Sequence, residues 1–253
     1  MMQYFKSMDL AKLAEAIAKK IAKKVKQENF KKFGEYVGMG ADGTETAYID
    51  KVAEDVAIRM IGEKANMLSE EAGFIDNGKE YTLVIDPIDG TKNAINGIPF
   101  YGVSIAIGKE RLSDVEYGIV VNIPTGDVYK ARKDGGAYLN GRKIKVEDKP
   151  VYCLSLGKSG NEKTWGMAKQ GTVRAMGAAA VEMCLVASGA ASLYFMPRDV
   201  LRVTDLAAST LIVREAGGFV YDAHGSSLDM PLNLEKRSGV IAASNPNIVG
   251  ELI

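Results

Sequence analysis

The stretch 81-YTLVIDPIDGTKNAINGIPFYGVSIAI-107 constrains this chain more than any other. A strand-like apolar run, Tyr81–Ile85, delivers two aspartates, Asp86 and Asp89, three residues apart. Carboxylates at the mouth of a buried strand are costly unless something pairs with them. A tight turn, a covalent phosphoryl acceptor or a metal would each supply that pairing. Pro87 fixes φ and removes a competing N–H donor, and its kink can turn the Ile88 carbonyl inward as a further oxygen ligand. Asp89 returns to the same side. Gly90 permits close approach to the backbone, and the Gly90 and Thr91 N–H groups at the start of a helical turn offer a phosphate seat. Carboxylates facing a phosphate repel it, so cations must sit between them. A donor set of hard oxygens without His or Cys points to Mg²⁺.

Two more acidic clusters stand where a strand or loop meets a turn or helix: Glu70-Glu71 in 69-SEEAG, and Asp205 at the head of 204-TDLAASTLIVREAG. Taken alone, the first reads as a solvated turn and the second as an N-terminal helix cap. Hydrolysis of a phosphate monoester needs up to about 10²¹-fold acceleration, whereas one general acid or base supplies about 10²–10⁴-fold. The single histidine, His224, sits in a polar turn, 221-YDAHGSS, and reads as a surface residue. The remainder must therefore come from charge stabilisation and a metal-activated water. Aspartyl-phosphate phosphatases of the haloacid dehalogenase type carry D-x-D-G-T, with carboxylates two apart rather than three, so that chemistry is set aside. The 38-GMGADG segment matches G-x-G-x-x-G but lacks the buried strand that a dinucleotide site needs, and it reads as a mobile loop.

With 253 residues the chain is long enough for one large domain or two packed subdomains. Lys plus Arg and Asp plus Glu both number 32, which argues against a basic nucleic-acid surface. Two cysteines, Cys153 and Cys184, suit a reducing compartment and read as buried free thiols. No stretch has the ~20 apolar residues of a membrane span, and the start lacks a signal peptide, so the expectation is a soluble, cytoplasmic protein. Leu10, Leu13, Ala14, Ile17, Ile21 and Val25 predict an amphipathic helix entered near Ser7 or Asp9. Residues 31–45 read as a loop and 46–61 as a second helix. After them comes an antiparallel meander through 102-GVSIAIG, 115-VEYGIVVN and 127-DVYKA. Beyond Asp148-Lys149-Pro150, strand-like and helical segments alternate, as in a layered α/β unit. The expected division is 1–148, carrying the acidic motifs, and 149–253, carrying substrate-side residues.

SEEAG, DPIDGTKNAINGIPFYGVSIAI and TDLAASTLIVREAGG, in this order and spacing, resemble the inositol monophosphatase family, and within it the archaeal group acting on both inositol monophosphate and fructose 1,6-bisphosphate. The resemblance spans essentially the whole chain. It implies an alternating α-β-α-β-α sandwich, commonly a homodimer, and two or three Mg²⁺ ions held by Glu70, Asp86, Asp89, Asp205 and the Ile88 carbonyl. It implies that Gly90 and Thr91 bind the phosphate and that Thr91, with Asp50, positions and activates the attacking water. Glu70 counts with them as catalytic, and residues 37–45 match the family's mobile active-site loop. Bottom-up, Asp50 is only a helix-face charge.

Some positions depart from the family pattern. Ala94 stands where many members have Phe, and Thr204 stands where a Trp is usual and is expected to cap the helix. In 195-FMPRDVLRV, Arg198 and Arg202 flank a lone Asp199, which suits a second phosphate better than an inositol hydroxyl. The backbone around 177-GAAAVEMC, Ala179 above all, is expected to line the sugar or cyclitol ring. The expected activity is therefore Mg²⁺-dependent hydrolysis of fructose 1,6-bisphosphate and/or inositol 1-phosphate. The alternatives are a 3′-phosphoadenosine 5′-phosphate phosphatase and a non-catalytic metal-binding regulator on the same fold.

Overall fold

The computed structural model describes residues 2–41 and 43–253, with side chains from Met8 onward except at Ser159. Asp42, the fifth residue of the GMGADG segment, lies outside them. A two-stranded hairpin, β1 (Tyr36–Met39) and β2 (Glu45–Ala47), precedes the main body. Eight strands follow: β3 (Asn66–Ser69), β4 (Gly73–Ile75), β5 (Thr82–Asp89), β6 (Gly102–Gly108), β7 (Tyr117–Asn122), β8 (Val128–Arg132), β9 (Gly136–Leu139) and β10 (Arg142–Ile144). They form one sheet in the order β10-β9-β8-β7-β6-β5-β3-β4, antiparallel except for β3 against β5. A second sheet orders β12 (Thr172–Arg174), β11 (Val151–Leu154), β13 (Leu193–Leu201), β15 (Ser238–Ala243) and β14 (Phe219–Tyr221).

Side-chain alternation along the strands decides how these sheets stack. In the large sheet, Leu83 and Ile85 of β5, Val103, Ile105 and Ile107 of β6, and Ile119 and Val121 of β7 share one core. Helices α1 (Met2–Gln27) and α2 (Tyr48–Ile61) cover that face with Ala14, Ile17, Ile21, Ile49, Ala53 and Ala57. Val84, Ala106 and Val120 face the other way, into a core shared with α5 (Ala179–Ala187) and α6 (Val203–Glu215). Every residue of α6 from Val203 to Val213 is buried, as expected of a helix covered on all sides. Tyr194, Val240 and Ala242 of the small sheet close this layer from the far side, while Leu193, Phe195, Ile241 and Ala243 face a third core. That last core is sealed by Met167 of α4 (Glu162–Ala168) and by Ile248 and Val249 of α7 (Pro246–Gly250). The result is the alternating α-β-α-β-α sandwich.

Several local expectations change. The first helix begins at Met2, not near Ser7 or Asp9. Part of the 31–45 loop is the β1–β2 hairpin, and Thr46 and Ala47 are strand, so α2 starts at Tyr48. β5 does not stop at Ile85 but runs through Asp89, with its register to β6 slipping between Asp86 and Asp89. β13 runs on through the 195–201 segment, so α6 begins almost directly at the strand's end.

Small residues on the large sheet let α6 approach closely. A Cβ at Gly118 would lie 2.8 Å from the Ala208 carbonyl oxygen and 3.0 Å from its Cα. Backbone cannot yield as a flexible side chain can, so Gly118→Ala is expected to lower the unfolding free energy by about 1–3 kcal/mol, read from the urea midpoint at unchanged slope.

Candidate active site

Four separate pieces of chain converge where the strands end. Glu70 follows β3, Asp86 and Asp89 lie at the end of β5, Asp50 is in the first turn of α2, and Asp205 is in the first turn of α6. Oxygens of Glu70, Asp86 and Asp205 all lie within 4.8 Å of one another. The register slip lets the strand place Asp86 and Asp89 while the Ile88 carbonyl reaches the cavity wall, 3.0 Å from Thr91 Oγ1. Thr91 opens α3 (Thr91–Ile95), and Gly90 before it adopts φ +86°. A side chain at Gly90 would be strained and would also meet the Ala178 Cβ at 2.9 Å.

Thr91 Oγ1 also stands 2.9 Å from Asp50 Oδ1. Its single proton can go to Asp50 or to the Ile88 carbonyl, leaving lone pairs directed elsewhere. Asp89 stands apart from the three-carboxylate group and accepts the Val181 N–H at 3.0 Å. Asp205 caps α6, its Oδ2 accepting the Arg202 N–H at 2.6 Å, while it also belongs to the acidic centre. Thr204 does not cap the helix, because its hydroxyl donates to Glu70 Oε1 at 3.0 Å.

Burial and mutual repulsion hold the protons on this cluster. Asp86 is pushed well above the usual carboxylate range by burial and then by the charges of Glu70, Asp89 and Asp205. Burial, followed by the charge of Asp205, raises Asp89 to about 8. Asp50 rises to about 7, mainly through burial, and burial likewise raises Asp205. Arg202 Nη1 lies 3.2 Å from Glu70 Oε2. An all-oxygen donor set whose buried aspartates are all pushed towards the protonated form fits a hard divalent cation.

Three cavities meet here. One of about 220 Å³ is lined by Glu70, Asp86, Ile88, Gly90, Thr91 and Asp205, among others. It shares Glu70, Thr91, Lys92 and Arg202 with a cavity of about 540 Å³ under the β1–β2 hairpin, which Asp50 also lines. It shares Gly90, Gly177, Arg202 and Asp205 with a cavity of about 460 Å³ whose walls include Leu154, Met176, Ala179, Glu182, Tyr194, Met196 and Val200. Ala179 is therefore on that wall. Arg198 is not: its guanidinium donates to the Lys158 carbonyl. The register of β13 against β15 breaks between Met196 and Leu201, so side chains there do not alternate regularly. Of the two arginines expected there, Arg202 lines these cavities and Arg198 does not.

Other residues brace the site without any signal in the three motifs. Glu54, buried one helical turn after Asp50, accepts the Ser69 hydroxyl and, at 2.9 Å, the Ala72 N–H, so it pins the turn that carries Glu70. Its spacing of four from Asp50 on the buried face of α2 was the available clue. Thr46 of the hairpin donates to Glu71, and the Ala41 N–H reaches the Glu71 carbonyl at 2.9 Å. His224 is exposed, beside Asp199. Cys153 and Cys184 are buried free thiols. No described helix is long and apolar enough to cross a membrane.

A family model described as the inositol monophosphatase family matches residues 7–253. A fructose-1,6-bisphosphatase/inositol-1-monophosphatase of Methanocaldococcus jannaschii is 38% identical over 246 aligned positions, covering 93% of this chain and 96% of that protein. A bifunctional NADP phosphatase/NAD kinase of Methanococcus maripaludis is 34% identical, covering 94% of this chain and 47% of its own. The crystal structure of an inositol monophosphatase-fructose 1,6 bisphosphatase matches with a TM-score of 0.84 at 37% identity, covering 95% of this chain and 96% of that one.

Asp50 and Asp89 bind protons more tightly folded than unfolded, with folded values of about 7 and about 8 against a reference of 3.8. Their stabilisation is complete below the unfolded value and is lost as pH rises through the folded values. In EDTA the melting temperature is expected to fall from pH 5 to pH 8. Excess Mg²⁺ should flatten that decline, because the cation replaces the protons. A melting temperature in EDTA that rises over this window would contradict the assignment.

Proposed function

This chain belongs to the inositol monophosphatase family, and from that premise we propose that its acidic trough hydrolyses small phosphate monoesters with Mg²⁺. The observation that carries this reading is the convergence of Glu70, Asp86 and Asp205 beside the Thr91–Asp50 pair. Glu70, Asp86, Asp205 and the Ile88 carbonyl, with Asp89 at the edge, would hold the cation. When bound, Mg²⁺ offsets the charge of the phosphate and makes water more acidic.

The chain's own groups do the rest. Gly90, bare of a side chain, lets the phosphate reach the backbone at the start of α3. Thr91, with its proton directed to Asp50, turns a lone pair to the cavity and can accept a hydrogen bond from the attacking water. Asp50, pushed up to about 7, is matched to take that water's proton through Thr91 near neutral pH. The carbon skeleton of the substrate then lies towards Ala179 and the 460 Å³ cavity. Fructose 1,6-bisphosphate and inositol 1-phosphate are the substrates we favour, in keeping with the names of the archaeal relatives. A nucleotide phosphatase is a second reading. Leu154, Leu156, Met196 and Val200 give that cavity apolar surface for a base, and NADP phosphatases are among the relatives.

Phosphate release should be measured with Mg²⁺ over inositol 1-phosphate, fructose 1,6-bisphosphate, 3′-phosphoadenosine 5′-phosphate and NADP. Release from at least one, abolished by EDTA and by Asp86→Asn, is expected. No release from any of them, or release indifferent to EDTA, would overturn the reading. Thr91→Val, nearly isosteric, should lower kcat by about 10²–10⁴-fold with little change in KM.

A further inference from the structure

Glu182 is 3% exposed, lines the 460 Å³ cavity, and takes no part in the chemistry above. It is the fourth residue of α5, and its side chain runs back to the segment before the helix. The two carboxylate oxygens divide the work: Oε1 accepts the Met176 N–H at 3.1 Å and Oε2 the Gly177 N–H at 3.0 Å. Beside it, Asp89 takes the Val181 N–H at 3.0 Å. Three amides around the start of α5, those of Met176, Gly177 and Val181, are thus taken by two carboxylates of the protein rather than offered to an anion. The 175–179 segment therefore suits the carbon skeleton of a substrate better than a phosphate.

The same segment is gripped from the opposite side. Asn93 Nδ2 donates to the Met176 carbonyl at 2.6 Å and to the Phe100 carbonyl at 2.7 Å. Gly90 stands so near that an added Cβ would lie 3.3 Å from the Gly177 carbonyl oxygen. Ala175, Met176, Gly177 and Ala179 line the cavity. The wall is therefore strung between Asn93, two residues past Thr91, and Glu182.

We propose that Glu182 is a positioning residue that sets leaving-group selectivity, holding the 175–179 wall at a fixed distance from Gly90 and Thr91. The proposal rests on the phosphatase reading and adds to it a residue that touches neither phosphate nor cation. Only a carboxylate serves here. A glutamine has one acceptor oxygen, and its NH₂ would face a backbone N–H, while an apolar residue would leave the amides unpaired.

The test compares the full-length wild type with Glu182→Gln in Mg²⁺. It measures kcat and KM for inositol 1-phosphate, fructose 1,6-bisphosphate, NADP and p-nitrophenyl phosphate, together with inhibition by inorganic phosphate. For the best physiological ester, KM should rise about 10-fold or more, because a small misplacement is costly in a fitted site. Its preference over p-nitrophenyl phosphate should fall by a similar factor, with inhibition by inorganic phosphate unchanged. An unchanged preference overturns the proposal. So does a fall in kcat and phosphate affinity for all esters alike, the mark of a general structural role. Should Glu182→Gln not fold, Asn93→Ala cuts the opposite grip and must shift the same preference; an unchanged preference there also overturns it. A wild type inactive on all four esters would instead overturn the phosphatase reading itself.

Discussion

Repulsion among buried carboxylates is the constraint around which the rest of this molecule is arranged. Oxygens of Glu70, Asp86 and Asp205 gather within 4.8 Å, with Asp50 and Asp89 close by. Unit charges 4 Å apart repel by about 4 kcal/mol at an effective dielectric of 20. Nothing in such a cluster holds itself together without a cation, so its geometry has to be imposed by the structure behind it. Raised carboxylate affinities for protons express the same fact: protons stay where positive charge is wanted.

The imposition comes from both layers flanking the large sheet. On one side, α2 carries Asp50 to Thr91 and, one turn later, Glu54 to the turn bearing Glu70. On the other, α6 brings Asp205 in its first turn, with Thr204 bonded to Glu70. That helix can lie close enough because Gly118 offers no side chain against Ala208. Between them, β5 slips its register at the two aspartates, freeing the Ile88 carbonyl from the ladder near the strand's end. Fold and site are thus the same set of contacts seen at different distances from the centre.

Much of this was legible in the sequence because its signals are local. Apolar alternation announces strands, and helical spacing announces α1 and α2. Asp86 and Asp89 attract notice because a buried strand delivers them. Asp50 and Asp205 were harder. Each sits in the first turn of a helix, where an acidic residue is ordinary, and Asp205 does cap its helix as well as join the cluster. Glu54 and Glu182 were hard to read as site residues because neither lies in a motif and each acts through backbone amides, those of Ala72 and of Met176 and Gly177. The two arginines of 195-FMPRDVLRV misled for a related reason. Residues of a regular strand alternate, but β13 loses register there, and Arg198 turns to the Lys158 carbonyl.

By itself, the sequence determined the chemistry of the centre: hard oxygen donors without histidine or thiolate, next to a glycine and a threonine, on a chain able to build stacked sheets. Residue types and short spacings are enough for that, because they decide which atoms are available. The tertiary structure alone decided which carboxylates meet, which are diverted to backbone amides, and which arginine faces the cavity. Those outcomes depend on contacts between residues up to 134 positions apart, such as Thr204 with Glu70. They also depend on a register slip and a close helix–sheet approach, which have no local signature.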